Sequence, residues 1–136
     1  MSRIQLALNV SDLEESIAFY RKLFGIEPAK VRDGYANFAV AEPPLKLVLV
    51  QNPERAGSLN HLGVEVADTG TVDAEHARLS ASGLTTDIQR GTECCYAAQD
   101  KFWVQDAPDG QQWEVYTVLA DSPTFGCGTS AAAGCC

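Results

Sequence analysis

The chain has 136 residues and 14.6 kDa, with hydrophobic residues at 46% and charged residues at 21%, the proportions of one globular domain with its own core. Disorder, collagen-like repeats and coiled coils are excluded on composition. Ten basic against eighteen acidic residues leave a net charge of −8, which repels phosphate backbones and anionic lipid, so neither nucleic acid nor a membrane is an expected partner. No run reaches the ~18 apolar residues of a membrane span, and the first residues enter an alternating pattern without an apolar leader core. A cytoplasmic protein is expected, as a monomer or a homodimer.

An internal repeat organises the rest. Residues 5–12 (QLALNVSD) overlie residues 61–68 (HLGVEVAD) at a constant offset of 56 residues, Gln5 to His61. Each copy runs on into a helical pattern closed by glycine, Gly25 and Gly83, and then into short strand-like runs. The chain is therefore predicted to be α+β, two βαβββ modules over residues 1–53 and 58–120 of one domain, their mixed sheet cupped around a shared face. Residues 121–136, rich in Gly, Ala, Ser and Cys, are expected to form a flexible tail.

In the first copy Ile4 to Val10 alternates as a strand, and Ser11 with Glu14 reads as a capping box for the helix that follows. Leu13, Ile17, Tyr20 and Phe24 share one helical face. Strands are predicted at 27–32, 35–40 and 45–51, with a hairpin at Asp33-Gly34. In the second copy a strand at 61–66 precedes a helix over about 71–82, with strands near 84–89, 101–105 and 113–118. Residues 90–100, carrying Cys94 and Cys95, are expected to be an irregular loop. His76 is placed on the outer helical layer, as a structural or surface residue.

Strand alternation then selects candidate ligands. Ile4, Leu6, Leu8 and Val10 must face the helix, leaving Gln5, Ala7 and Asn9 on the opposite side. In the second copy Leu62, Val64 and Val66 face the helix and His61, Gly63 and Glu65 do not. The last strand, after the turn signal at Asp106 to Gly110, divides Trp113, Val115 and Thr117 from Glu114, Tyr116 and Val118. If the sheets curl toward each other, Gln5, His61 and Glu114 converge as an amide oxygen, an imidazole and a carboxylate on one divalent metal, with coordination positions left open.

The five cysteines do not make a disulfide framework. Cys94-Cys95 and Cys135-Cys136 are adjacent pairs and Cys127 stands alone. In a reducing compartment adjacent thiols read better as ligands for soft metals or metalloids. Adjacent strand residues point to opposite faces, so both sulfurs of Cys94-Cys95 can hold one atom only where the backbone leaves the regular strand.

The repeat, Gln5, His61 and the D-x-x-D-G-x-x-x-E run ending at Glu114 resemble the vicinal-oxygen-chelate superfamily, which includes glyoxalase I and extradiol dioxygenases. Cys94-Cys95, the run from Trp113 to Asp121 and the Cys-bearing tail resemble, more narrowly, the cadmium-induced proteins and organoarsenical carbon–arsenic lyases. That resemblance implies Fe(II) held by Gln5, His61 and Glu114 and a trivalent organoarsenical held by Cys94 and Cys95. The implied activity is dioxygen-dependent cleavage of the carbon–arsenic bond to arsenite, an arsenic-resistance function. Two alternatives stand beside it: sequestration of cadmium or a similar soft ion by the thiols, and a glyoxalase-like metalloisomerase. The latter calls for a fourth ligand on the strand at 45–51, where the polar heads are Lys46 and Gln51.

Overall fold

A computed structural model describes residues 2–126 of the chain. It divides into two compact units, one spanning Arg3–Asn60 and the other running on from His61. The first unit contains β1 (Arg3–Val10), α1 (Leu13–Phe24), β2 (Lys30–Arg32), β3 (Tyr35–Val40), β4 (Leu45–Gln51) and a single 3-10 turn at Pro53–Arg55. Its strands hydrogen-bond in the order β2-β3-β4-β1, β1 and β4 parallel and the others antiparallel. The helix packs on one face, where Leu13 and Ile17 meet Ala36, Phe38, Leu47 and Leu49, with Leu6, Leu8, Val10, Tyr20 and Phe24 at the margin. This is the face that alternation predicted, except that Ile4 is 46% exposed, beyond the reach of the helix.

Helix α1 begins one residue later than its capping signal suggests. Asp12, with extended backbone, is the N-cap and accepts from the Glu15 backbone N–H, in place of the expected Ser11 box. The helix ends at Gly25, whose φ of 68° suits a residue without a Cβ and whose N–H bonds to Arg21 O. The predicted hairpin forms at Asp33-Gly34, with Arg32 opposite Tyr35.

β5 (Leu59–Glu65) leads into the second unit, followed by α2 (Thr69–Ala81), β6 (Thr86–Cys94), β7 (Ala97–Val104) and β8 (Trp113–Asp121). The strand order is β5-β8-β7-β6, with β5 and β8 parallel, so each unit is a βαβββ module and the fold class is α+β with mixed strand pairing. Val66, Val72 and Phe102 form the core, bordered by Val64, Leu79, Val104 and Val115. Val72 is the one buried residue of α2, so polar contacts fix the helix as well. Thr69 donates to Asp100, and His76 is hydrogen-bonded to Thr86 at 2.8 Å with its ring edge against Phe102. His76 is thus structural, as its position suggested. Among the described residues no helix is long and apolar enough to cross a membrane.

Two expectations are corrected. Residues 90–100 are not a loop: β6 and β7 pair through them, with a register shift between Gln89 and Thr92 that accommodates one extra residue on β6. The expected tail is corrected at its start: β8 includes Asp121, and Ser122 is buried. Low apolar content misled here; backbone and hydroxyl hydrogen bonds, rather than apolar burial, hold this stretch down. Cys127, Cys135 and Cys136 lie outside the described residues.

Asp100 ties the irregular part of β6 to α2, accepting from the Gly91 N–H and the Thr69 hydroxyl, and these bonds hold its carboxyl below its ordinary range. A lowered folded-state pKa adds stability above pH ~4 that fades as pH falls through that range. Asp100→Ala should therefore cost about 1–2 kcal/mol in urea unfolding at pH 7, with a smaller loss at pH 3 than at pH 7.

Candidate metal and dithiol sites

The parallel pairing of β5 with β8 sets Gly63 opposite Glu114, which brings His61 and Glu114 onto the same face, away from α2. A turn at Ala107–Gly110 delivers the start of β8, the Gly110 N–H bonding to Ala107 O. His61 Nε2 lies 2.9 Å from Glu114 Oε2, and because a carboxylate only accepts, the imidazole N–H is the donor. Lys101, on β7, places Nζ 2.9 Å from the other oxygen, Oε1. All three side chains are buried, at 1% exposure for His61 and Lys101 and 3% for Glu114.

Burial alone would raise the Glu114 pKa. The Lys101 ammonium and the His61 hydrogen bond outweigh that penalty and hold the carboxyl far below the usual range, so Glu114 is an anion at neutral pH. Trp103 completes the group, its ring 5.5 Å from the His61 ring and 5.3 Å beneath Lys101 Nζ.

Sequence reading missed Lys101. The signal lay in alternation: Trp103 pairs with Glu114 and Lys101 with Tyr116, so a lysine two residues before Trp103 belongs to the same face. Gln99, two residues earlier again, is buried; its Nε2 donates to Cys94 O, and its Oε1 has no hydrogen-bond partner among the described residues. A buried acceptor left open on this face is what a site for a further molecule provides.

Gln5, the third predicted ligand, belongs to the first unit. It is 4% exposed, on the β1 face opposite the helix and in register with Lys46. The structure thus brings His61 and Glu114 together within one unit and presents Gln5 as a buried amide in the other. Among the described residues no three His, Cys, Asp or Glu side chains gather at metal-binding spacing, and the third donor expected here is an amide.

Cys94 ends β6, and Cys95 with Tyr96 forms the two-residue turn to β7, Cys94 standing opposite Ala97. Both turn residues have positive φ, 54° at Cys95 and 61° at Tyr96. Such turns suit the strand twist but favour Asn and Gly; for other residues this backbone costs on the order of 1–3 kcal/mol each. The departure from strand geometry lets neighbouring sulfurs approach, and the two Sγ atoms lie 3.7 Å apart. That is well beyond a covalent S–S distance of about 2.05 Å, so the two are not bonded to each other. The irregular backbone needed for two sulfurs to serve one atom is present, in a tight turn rather than a long loop.

Two βαβββ units, the second with an imidazole and a carboxylate on its face away from the helix, make a fold shared by several known proteins. Residues 3–115 match the Glyoxalase/Bleomycin resistance protein/Dioxygenase superfamily. Cadmium-induced protein CadI of Mycobacterium bovis is 64% identical over 128 residues, covering 94% of this chain and 84% of that protein. A trivalent organoarsenical cleaving enzyme of Thermomonospora curvata is 60% identical over 126 residues, covering 92% of this chain and 83% of that enzyme. A variant of homoprotocatechuate 2,3-dioxygenase from Brevibacterium fuscum shares the fold with a TM-score of 0.63 at 22% identity, over 86% of this chain and 32% of that one. The chain belongs to this superfamily and, within it, to the family of the cadmium-induced proteins and trivalent organoarsenical cleaving enzymes.

Removing the ammonium while keeping the carboxylate tests the charge network. Lys101→Met should destabilise the protein by about 3–5 kcal/mol at neutral pH, because an uncompensated charge stays buried. Adding Glu114→Gln should recover most of that loss. Equal stability of wild type and Lys101→Met in chemical denaturation would show that Lys101 does not balance Glu114.

Proposed function

We propose that the protein is an Fe(II)- and dioxygen-dependent carbon–arsenic lyase that cleaves trivalent organoarsenicals to arsenite. Gln5, His61 and Glu114 would hold the metal, and Cys94 and Cys95 the arsenic. The observation that carries this reading is the shared face of β7. Gln99 bonds the Cys94 carbonyl and Lys101 bonds Glu114, two positions only ~7 Å apart along the strand. Cys94, opposite Ala97, and Glu114, opposite Trp103, thus stand at two ends of one face of β7, so a thiophilic group held at the turn would share that face with the imidazole–carboxylate pair. The names of the relatives in Thermomonospora curvata and Bacillus agree with this substrate class.

The donor set fits a divalent first-row metal, since imidazole, carboxylate and amide oxygen suit Fe(II) and leave positions open. When bound, the metal would supply electrons and a binding position for dioxygen. The chain's own residues do the rest. Lys101 would keep Oε1 of Glu114, and a metal held by Oε2 and His61 Nε2 would replace the proton that those two atoms now share, with Trp103 beside both. A trivalent organoarsenical keeps its carbon substituent and exchanges two oxygen ligands for the two thiolates, so the carbon–arsenic bond remains and is held in place. For a methylarsenical the whole reaction balances with one dioxygen, giving formaldehyde and arsenous acid.

The register argues against the isomerase alternative. Gly63 faces Glu114, and its repeat counterpart Ala7 faces Val48. The position equivalent to Glu114 in the first unit is therefore a buried valine, which offers no donor. Soft-ion sequestration has the cadmium-induced relatives in its favour and is separated by turnover, since sequestration consumes no oxygen.

With Fe(II) supplied anaerobically and oxygen then admitted, wild type should consume oxygen and release arsenite from a trivalent methyl or aryl arsenical. His61→Ala and Glu114→Ala should each abolish this while remaining folded, and Gln5→Ala should be milder because a neutral amide is the weaker donor. Stoichiometric cadmium binding without oxygen uptake would replace the lyase by sequestration.

A further inference from the structure

A two-residue hairpin turn leaves the backbone groups of its turn residues unpaired by its own strands, among them the N–H of the first and the carbonyl of the second. Here both are taken by the chain just beyond β8. Cys95 N–H donates to Phe125 O, and Tyr96 O accepts from Ser122 N–H, each at 2.9 Å. The side chains add to this clasp. The Tyr96 and Phe125 rings meet edge-on at 5.6 Å, the Ser122 hydroxyl donates to the Glu93 carboxylate, and Thr124 reaches the same oxygen at 3.3 Å. Glu93 immediately precedes Cys94, so the segment grips the turn from both sides.

We propose that residues 122–125 are a positioning strap for substrate capture, holding Cys95 and Tyr96 in their left-handed conformation so that the two sulfurs are set for one arsenic before it arrives. The proposal rests on the dithiol-capture reading above. Without the strap, Cys95 and Tyr96 have no local reason to stay at positive φ, since neither is glycine or asparagine. A turn that relaxes toward extended backbone sends adjacent side chains to opposite faces and turns a chelating pair into two single thiols. Capture itself is an exchange. Two S–H bonds and two As–OH bonds break, two As–S bonds form, two waters leave, and arsenic stays trivalent. The strap takes no part in that chemistry; it raises the effective concentration of the second thiol at arsenic held by the first.

The experiment titrates phenylarsine oxide into reduced full-length protein without added metal, alongside thermal unfolding and hydrogen exchange at the Cys95 amide. Phe125→Ala and Ser122→Ala should weaken binding about ten-fold, about 1.4 kcal/mol, and speed exchange at Cys95, with the melting temperature changed by only a few degrees. Tyr96→Gly added to Phe125→Ala should restore affinity to within about three-fold of wild type, because glycine takes the second position of this turn without strain. A purely structural strap would give no such rescue. Unchanged affinity in Phe125→Ala, or no recovery in the double variant, overturns the strap. Tight binding by the Cys94→Ser, Cys95→Ser double variant, or none by wild type, overturns the dithiol reading, and the strap with it.

Discussion

The interaction on which the second unit depends is the buried contact of Lys101 with Glu114. A carboxylate at 3% exposure is stable as an anion only with a compensating charge and satisfied oxygens, and it has both, Lys101 on one oxygen and His61 on the other. The pairing of β7 with β8 is what makes this possible, since it sets Lys101 and Trp103 on the face of Glu114 while Phe102 goes to the core. The same alternation that builds the hydrophobic core therefore builds the polar group behind it. A shift of one residue in this ladder would bury Phe102 among charges and put Lys101 against α2.

Much of this was legible in the sequence because it rests on periodicity. Alternation placed His61 and Glu114 on one face and Leu6, Leu8 and Val10 on the other, and the offset from Gln5 to His61 revealed the two modules. What alternation does not encode is interruption. The register shift between Ala98 and Gln99 sets Ala98 opposite Ala120 but Gln99 opposite Val118, so the phase shared by Glu114, Tyr116 and Val118 is lost beyond Val118, itself 40% exposed at the end of that register. The shift between Gln89 and Thr92 likewise let a supposed loop become two paired strands. Bulges cost one residue of phase and carry no reliable signature in a single sequence.

The dithiol turn was half legible. Two adjacent cysteines announce a chelating chemistry, and strand geometry says the backbone must break there for it to work. That the break is a turn with two non-glycine residues at positive φ has no local signal, because Cys and Tyr are poor choices for it. The conformation is imposed from residues 122–125, which composition assigned to a tail. Local preference fails at the one place where tertiary contacts override it, and such places concentrate at functional sites.

Comparison of the two units shows why only one carries the charged group. In the second, Trp103 faces Glu114 and Lys101 faces Tyr116; in the first, the corresponding pairs are Asn37 with Val48 and Tyr35 with Val50. The position of the carboxylate is held by valine and that of the lysine by tyrosine, so the charges differ as a pair. Physical chemistry requires that coupling. Glutamate at Val48 without a cation would leave a buried charge uncompensated, and lysine at Tyr35 without an anion would do the same. Tyr35, 1% exposed, instead takes a hydrogen bond from Asn37 at 3.0 Å, a neutral solution to the same buried position. The first unit thus replaces the Lys101–Glu114 pair by a tyrosine and a valine and sets a lysine, Lys46, opposite Gln5, while the second carries a carboxylate with its counter-charge built in.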